Sequence, residues 1–343
     1  MDHQHHTSDS VKTNGNLTDY PLKWPSDQKS STHELAIDDK FIYVTGQKMD
    51  QVAKLDYDGN IVVYYNMPKG SGPHGLLIDT KGNIWVSLEF KGTVAQLDDE
   101  GAIVQEVDVN IYVNDGKTAI NPAPHGIGLD ASGENIWFTG KRTSTVGKFN
   151  LDSKVVEHYE LDNLASLPIF LSSGPDSSIW GTELKSNAIL KVSKEGRISE
   201  YDIPTSNSRP IGIIPDPSEP YMWFTQEAGV NIGRINMDGE ITEYPVPALQ
   251  KNDILASLTF DRENNLWVQV YVDHNDSSPS GPDYLIKFDK SIREATGDAS
   301  YEVPYSIHVV PTRGTMMHRI KMDFDGNLWY TEMMTDTVGV IRF

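Results

Sequence analysis

Gly82-Asn83-Ile84-Trp85 reads as a tight turn running into a short apolar strand, and the chain repeats it. The other copies are Gly133-Glu134-Asn135-Ile136-Trp137, Ser177-Ser178-Ile179-Trp180, Tyr221-Met222-Trp223, Asn264-Asn265-Leu266-Trp267 and Gly326-Asn327-Leu328-Trp329. A seventh copy carries Tyr43 in place of the Trp. From Tyr43 the steps are 42, 52, 43, 43, 44 and 62 residues. A period in the low forties with occasional insertions marks propeller blades, each too small to bury its own faces and therefore stacked on its neighbours around an axis.

Residues 73–109 show how one unit builds a blade. Pro73 to Asp79 alternates into an inner strand, Ile84 to Glu89 forms the second, Thr93 to Asp98 the third and Ile103 to Val109 the fourth, with Gly, Asn and Asp at the turns. Short β-branched and aromatic runs punctuated in this way give antiparallel hairpins. The predicted fold is all-β: a seven-bladed β-propeller of four-stranded antiparallel blades, with the Trp side chains packed between blades.

The two ends predict how the ring closes. The last repeat stops at Thr337-Val338-Gly339-Val340-Ile341, a third strand. Leu17-Thr18-Asp19-Tyr20-Pro21-Leu22 matches the fourth strands Ile241-Thr242-Glu243-Tyr244-Pro245-Val246 and Ile198-Ser199-Glu200-Tyr201-Asp202-Ile203. An N-terminal strand is thus expected to complete the last blade, removing an exposed sheet edge. Residues 17–343 read as one propeller domain and residues 1–16, polar and carrying His3, His5 and His6, as a disordered tail.

Lys plus Arg is 29 and Asp plus Glu is 49, a formal charge of −20. Such acidity repels phosphate backbones and anionic membrane surfaces, so neither nucleic acid nor membrane is an expected partner. The absence of cysteine excludes disulfides, thiolate catalysis and Cys-ligated metal. Met1 to Asn16 has no apolar run resembling a signal peptide, so a cytoplasmic monomer is expected. Three loops exceed what the repeat needs: Asn110 to Ala123, Tyr305 to Met317 and Asp273 to Asp283. All three are expected on one face, as a rim or lid.

The chemistry gathers at the same face. Inner strands begin with His33, His74, His125 and His318, and blades four to six hold Pro168-Ile169, Pro210-Ile211 and Ala256-Ser257 at those places. Second strands run antiparallel and end with Glu89, Glu183, Gln226-Glu227 and Glu332. The repeat is thus expected to bring His and carboxylate to one mouth of the central channel, a pairing that suits a general base. Each His could instead serve structure alone, its ring bonded to a backbone carbonyl. Arg209, Arg319, Lys141 and Arg142 lie near the same rim and could hold an anionic or carbonyl group.

Pro124-His125-Gly126-Ile127, Ile136-Trp137-Phe138-Thr139 and Asn231-Ile232-Gly233-Arg234-Ile235 running to Thr242-Glu243-Tyr244-Pro245 resemble the streptogramin lyase, or virginiamycin B lyase, family. The resemblance covers nearly all of residues 17–343. It implies a seven-bladed propeller and an elimination that opens a cyclic depsipeptide at an ester C–O bond, with a His base and Mg²⁺. It places His318 at the catalytic His and Glu332 at the acidic residue one hairpin later. It also shows departures: Met316 stands where an acidic metal ligand is implied, Met333 where a His ligand is, and Ala256 or Ser257 where a substrate-contacting His is. Thioether sulfur is a poor Mg²⁺ ligand, so no cofactor is expected.

The expected function is a small-molecule lyase or cyclase working in the channel mouth, possible without metal. His318 would act as base or hydrogen-bond donor positioned by Glu332, and His74 and His125 would orient a substrate oxygen. His33, Glu89, Glu183, Glu227, Arg209, Tyr271, Met316 and Met333 would line the substrate site, with Met317 adding apolar contact. Two alternatives stay open: a cofactor-independent pericyclase of specialised metabolism, which needs pre-organisation more than a strong base, and a non-catalytic binding propeller.

Overall fold

An aspartate closes the turn of each repeat and, in five of the seven, takes hold of the tryptophan that follows. Asp79 accepts backbone hydrogen bonds from Lys81 and Asn83, both at 2.9 Å, and one from Trp85 Nε1 at 3.0 Å. The same grip joins Asp176 to Trp180 (3.0 Å), Asp216 to Trp223 (3.0 Å), Asp261 to Trp267 (2.8 Å) and Asp323 to Trp329 (2.8 Å). The Tyr43 hydroxyl donates to Asp38 at 3.1 Å. A short polar side chain thus fixes the turn and satisfies the buried indole N–H together. Many of these rings also stack on a tyrosine of the fourth strand, as Trp223 does on Tyr244 and Trp329 on Tyr20.

The computed structural model describes residues 10–273, 281–297 and 302–343. Within them, six four-stranded antiparallel sheets and one five-stranded sheet form the seven blades. Leu17–Pro21 lies beside Thr337–Ile341 in antiparallel register, Leu17 opposite Ile341 and Pro21 opposite Thr337, so the N-terminal strand closes the last blade as expected. Core clusters run across blade boundaries: Trp223 of blade five packs with Leu255 and Val268 of blade six. No described helix is long and apolar enough to cross a membrane.

Three local expectations need correction. Lys12–Asn14, assigned to the tail from sequence, pairs with Leu17–Asp19 as an extra outer strand, because Gly15 at φ 59° permits a two-residue hairpin turn. Residues 1–9 lie outside the described residues. Tyr305–Val309 is not loop but the fourth strand of blade six. The insertion of that blade instead precedes it, carries the 3₁₀ turn Lys290–Glu294, and is anchored where Arg293 donates to Asp216 at 2.9 and 2.5 Å. Asp216 belongs to a turn between first and second strands, so this insertion sits on the face opposite the mouth. The loop at 110–123 folds into a hairpin, Ile111–Val113 with Thr118–Ile120. Residues 274–280 of the third loop lie outside the described residues.

Each of the seven inner strands shifts register just after it begins, between Thr32 and Leu35, Pro73 and Leu76, Pro124 and Ile127, Pro168 and Phe170, Pro210 and Ile213, Leu255 and Leu258, and Met317 and Ile320. A bulge bends the strand and re-aims a side chain. Second-strand side chains satisfy the backbone N–H groups the bulges free: Thr45 accepts from Glu34 (3.0 Å), Ser87 from Gly75 (2.8 Å) and Thr331 from Arg319 (3.0 Å). The same hydroxyls donate to the next blade, Thr45 to His74 O (2.8 Å), Ser87 to His125 O (3.2 Å) and Thr331 to His33 O (2.7 Å). A polar belt around the axis thereby fixes where the histidines stand.

Candidate functional site

The bulges turn four imidazoles to the axis. His74 stacks on His125 with ring centroids 3.5 Å apart, and His33 lies 5.1 Å from both His74 and His318. Phe170, from blade four, completes the cluster 5.8 Å from His318. Burial leads in lowering all four pKa values: His33 falls to about 3 and His318 to about 4, while His74 and His125 fall well below the usual imidazole range. The rings also disfavour each other's charge. All four are neutral at physiological pH.

Hydrogen bonds select the tautomers. Nδ1 of His33 faces Ser31 O at 2.8 Å and Nδ1 of His74 faces His125 O at 2.9 Å, so in both rings Nδ1 carries the proton. Nδ1 of His125 faces Glu89 Oε2 at 3.3 Å, and a carboxylate also demands a donor. Their Nε2 atoms are left as lone-pair acceptors. His318 differs. Neither of its nitrogens has a hydrogen-bond partner among the described residues, and its Nε2 is buried. That ring can accept a proton or donate one.

One layer deeper, Arg319 grips Glu34 through Nε at 2.7 and 3.0 Å and a terminal nitrogen at 2.7 Å. Its guanidinium also lies 4.6 Å over Phe170. Burial pushes the Glu34 carboxyl up, but Arg319 overrides it and holds it at about 2. Glu34 in turn opposes the fall of the His318 pKa. Arg319 therefore serves the floor of the site, not the ligand-facing rim expected from sequence.

Above the cluster opens a cavity of about 300 Å³. His33, His125 and His318 lie at its base, with Met316, Met317, Met333 and Tyr271 on its wall. Lys141 closes the polar side, and behind it the buried Glu89 accepts from Gln47 and from Lys141 at 3.3 Å as well as from His125. Across the mouth, Glu227 accepts from Arg209 Nε at 2.9 Å and from the Tyr271 hydroxyl at 3.4 Å. Arg142 lines a separate depression with Phe90.

Glu183 and Glu332 are not at the mouth. Glu89 and Glu227 follow the last residue of their second strands, whereas Glu183 and Glu332 are that last residue, paired with Pro168 and Met317. A shift of one residue in a strand sends the side chain to the other face. Both are fully buried in their blades. Burial, then the partner carboxyl, raises their pKa values: Glu183 to about 8 beside Glu200, and Glu332 well above the usual range beside Asp19. Glu183 and Glu332 are thereby biased toward the protonated form. Glu332 therefore does not position His318; Glu34 is the carboxylate that biases it. Gln47, Leu184, Phe170 and Glu34 escaped the sequence reading, although counting one residue past each second strand would have found Gln47 and Leu184.

Met316 and Met333 adjoin across one hairpin, Met333 N donating to Met316 O at 3.1 Å. Soft thioethers at these two places do not fit Mg²⁺, which wants oxygen. Among the described residues no three His, Asp or Glu side chains are grouped to hold a metal.

Residues 112–274 match the model of the virginiamycin B lyase family. The virginiamycin B lyase of Nocardia farcinica is 21% identical over 176 residues, a match spanning 41% of this chain and 59% of that protein. Among solved structures, the selenomethionine-substituted virginiamycin B lyase of Staphylococcus aureus superposes with a TM-score of 0.76 at 25% identity, over 95% of this chain and 99% of that one. A catalytically inactive His-to-Ala variant of the Staphylococcus aureus enzyme, solved with quinupristin, gives 0.76 and 25% over 94% and 98%. The chain thus resembles the virginiamycin B lyases in sequence and in fold.

Proposed function

We propose that this protein is a small-molecule lyase or cyclase whose reaction takes place in the channel mouth, with His318 handling the proton. The observation that carries this reading is the state of the four axial imidazoles. Three have a tautomer fixed by their surroundings, and His318 alone has both nitrogens uncommitted at the base of the cavity. In a lyase step, His318 would take a carbon-bound proton, the electron pair would form a double bond, and an ester carboxylate would depart. Its pKa of about 4 keeps it unprotonated but makes it a weak base, so the wall must contribute orientation as well.

Quinupristin, bound by the Staphylococcus aureus relative, is the first substrate to test. Elimination within its ring would give a linear product of unchanged mass and altered retention. We expect His318→Ala to slow that conversion by about 100-fold or more, within the range for loss of a general base. A loss under about tenfold would show that His318 is not the base and that shape does most of the work. A ligand bound but never converted would leave a binding propeller.

A further inference from the structure

Five blades place a left-handed residue two positions before the axial one: Gly72 (φ 63°), Ala123 (57°), Leu167 (50°), Arg209 (57°) and Met316 (49°). In four of them its carbonyl accepts from the residue just past the second strand. Glu89 N reaches Gly72 O at 3.0 Å, Leu184 N reaches Leu167 O at 3.1 Å, Glu227 N reaches Arg209 O at 2.9 Å, and Met333 N reaches Met316 O at 3.1 Å. The geometry alone needs only glycine, as at Gly72, because a side chain costs on the order of 1–2 kcal/mol in this conformation. Bulky residues held in this conformation cluster at ligand sites.

The side chains come in matched pairs: Leu167 with Leu184, Arg209 with Glu227, Met316 with Met333. All six line the cavity. Arg209 and Glu227 are the only charged residues on the wall from blades four to seven, among the described residues, and they neutralise each other at 2.9 Å. Tyr271 directs its hydroxyl to the same Glu227. Apart from this pair, the Tyr271 hydroxyl and the His318 ring at the base, this half of the mouth is apolar, and it carries no net charge. The half from blades one to three carries Lys141 and the imidazoles of His33 and His125. A chain of net charge −20 further disfavours anions.

We propose that the rim pairs select the substrate, and that in this chain they select an uncharged amphipathic molecule with its apolar edge on blades four to seven and its carbonyl or hydroxyl edge on blades one to three. This rests on the mouth being the site, but not on turnover there.

The test is equilibrium binding of Nile red, an uncharged apolar dye, to the full chain. The double variant Met316→Arg/Met333→Glu copies the Arg209–Glu227 pair onto blade seven, at a position whose left-handed backbone Arg209 shows to be compatible with arginine. We expect saturable binding to the wild type, weakened about tenfold or more by this variant at an unchanged melting temperature. Leu167→Arg/Leu184→Glu should act alike, and serves if the first variant fails to fold. Val62→Arg/Val104→Arg, on exposed outer strands, should leave binding intact. Rim variants that bind the dye as the wild type does would overturn the proposal. So would a wild type that binds anionic 1-anilinonaphthalene-8-sulfonate at the mouth as tightly as Nile red. Because binding is read without turnover, a mouth that selects but does not catalyse passes here and fails only the His318 test.

Discussion

The side chains nearest the axis owe their properties to neighbours rather than to their own type. Imidazoles titrate near physiological pH when free, but four of them packed with Phe170 under a rim lose their charge to burial. Carboxyls show the converse. Glu183, facing Glu200 inside blade four, holds its proton up to about pH 8. The unfolded chain releases that proton near pH 4.5, so the contribution of the pair to stability is complete below that value and is lost as the pH rises toward 8. Glu183→Gln keeps the shape and removes the titration; Gln226 already occupies the equivalent place in blade five. The variant should melt on the order of a few degrees higher than wild type at pH 8.5, with a flatter dependence between pH 6 and 8.5 in thermal melts. An unchanged slope would show that Glu183 is ionised in the folded protein.

Strands and turns account for most of what the sequence reveals. The period of the Trp copies, the alternation within residues 73–109 and the likeness of Leu17–Leu22 to fourth strands lead directly to the blades and their closure. The histidines were legible for the same reason, since they recur at one place in the repeat. The carboxylates were legible only to within a residue, which is not enough: Glu89 and Glu183 lie one step apart in register and face opposite ways. The bulges and their Thr and Ser partners left no visible trace beyond the hydroxyl in Ile136-Trp137-Phe138-Thr139. Closure itself can be tested. Leu17 is buried against blades six and seven, Leu22 and Trp24 against the last and first blades, and the buried Asp19 carboxyl takes a hydrogen bond from Tyr330 at 2.6 Å. Removal of residues 1–25 should unfold or aggregate the protein, as read by melting and size-exclusion chromatography. A truncated chain with the wild-type melting temperature would contradict the clasp.

At the scale of the molecule, seven near-equivalent units produce one asymmetric mouth. Blades one to three and seven supply the imidazoles, and blades four to seven supply the apolar wall. Propellers host unrelated functions on one frame, and here the frame is shared with the virginiamycin B lyases while thioethers stand at two rim positions. The function proposed for this mouth depends most on a cluster of neutral rings at its base. Long-range ¹⁵N–¹H correlation spectra of the imidazoles at pH 6 measure that directly. We predict neutral rings for His33, His74, His125 and His318, with the proton on Nδ1 in the first three. Imidazolium signatures at that pH, or protons on Nε2 of His33 and His74, would contradict the account.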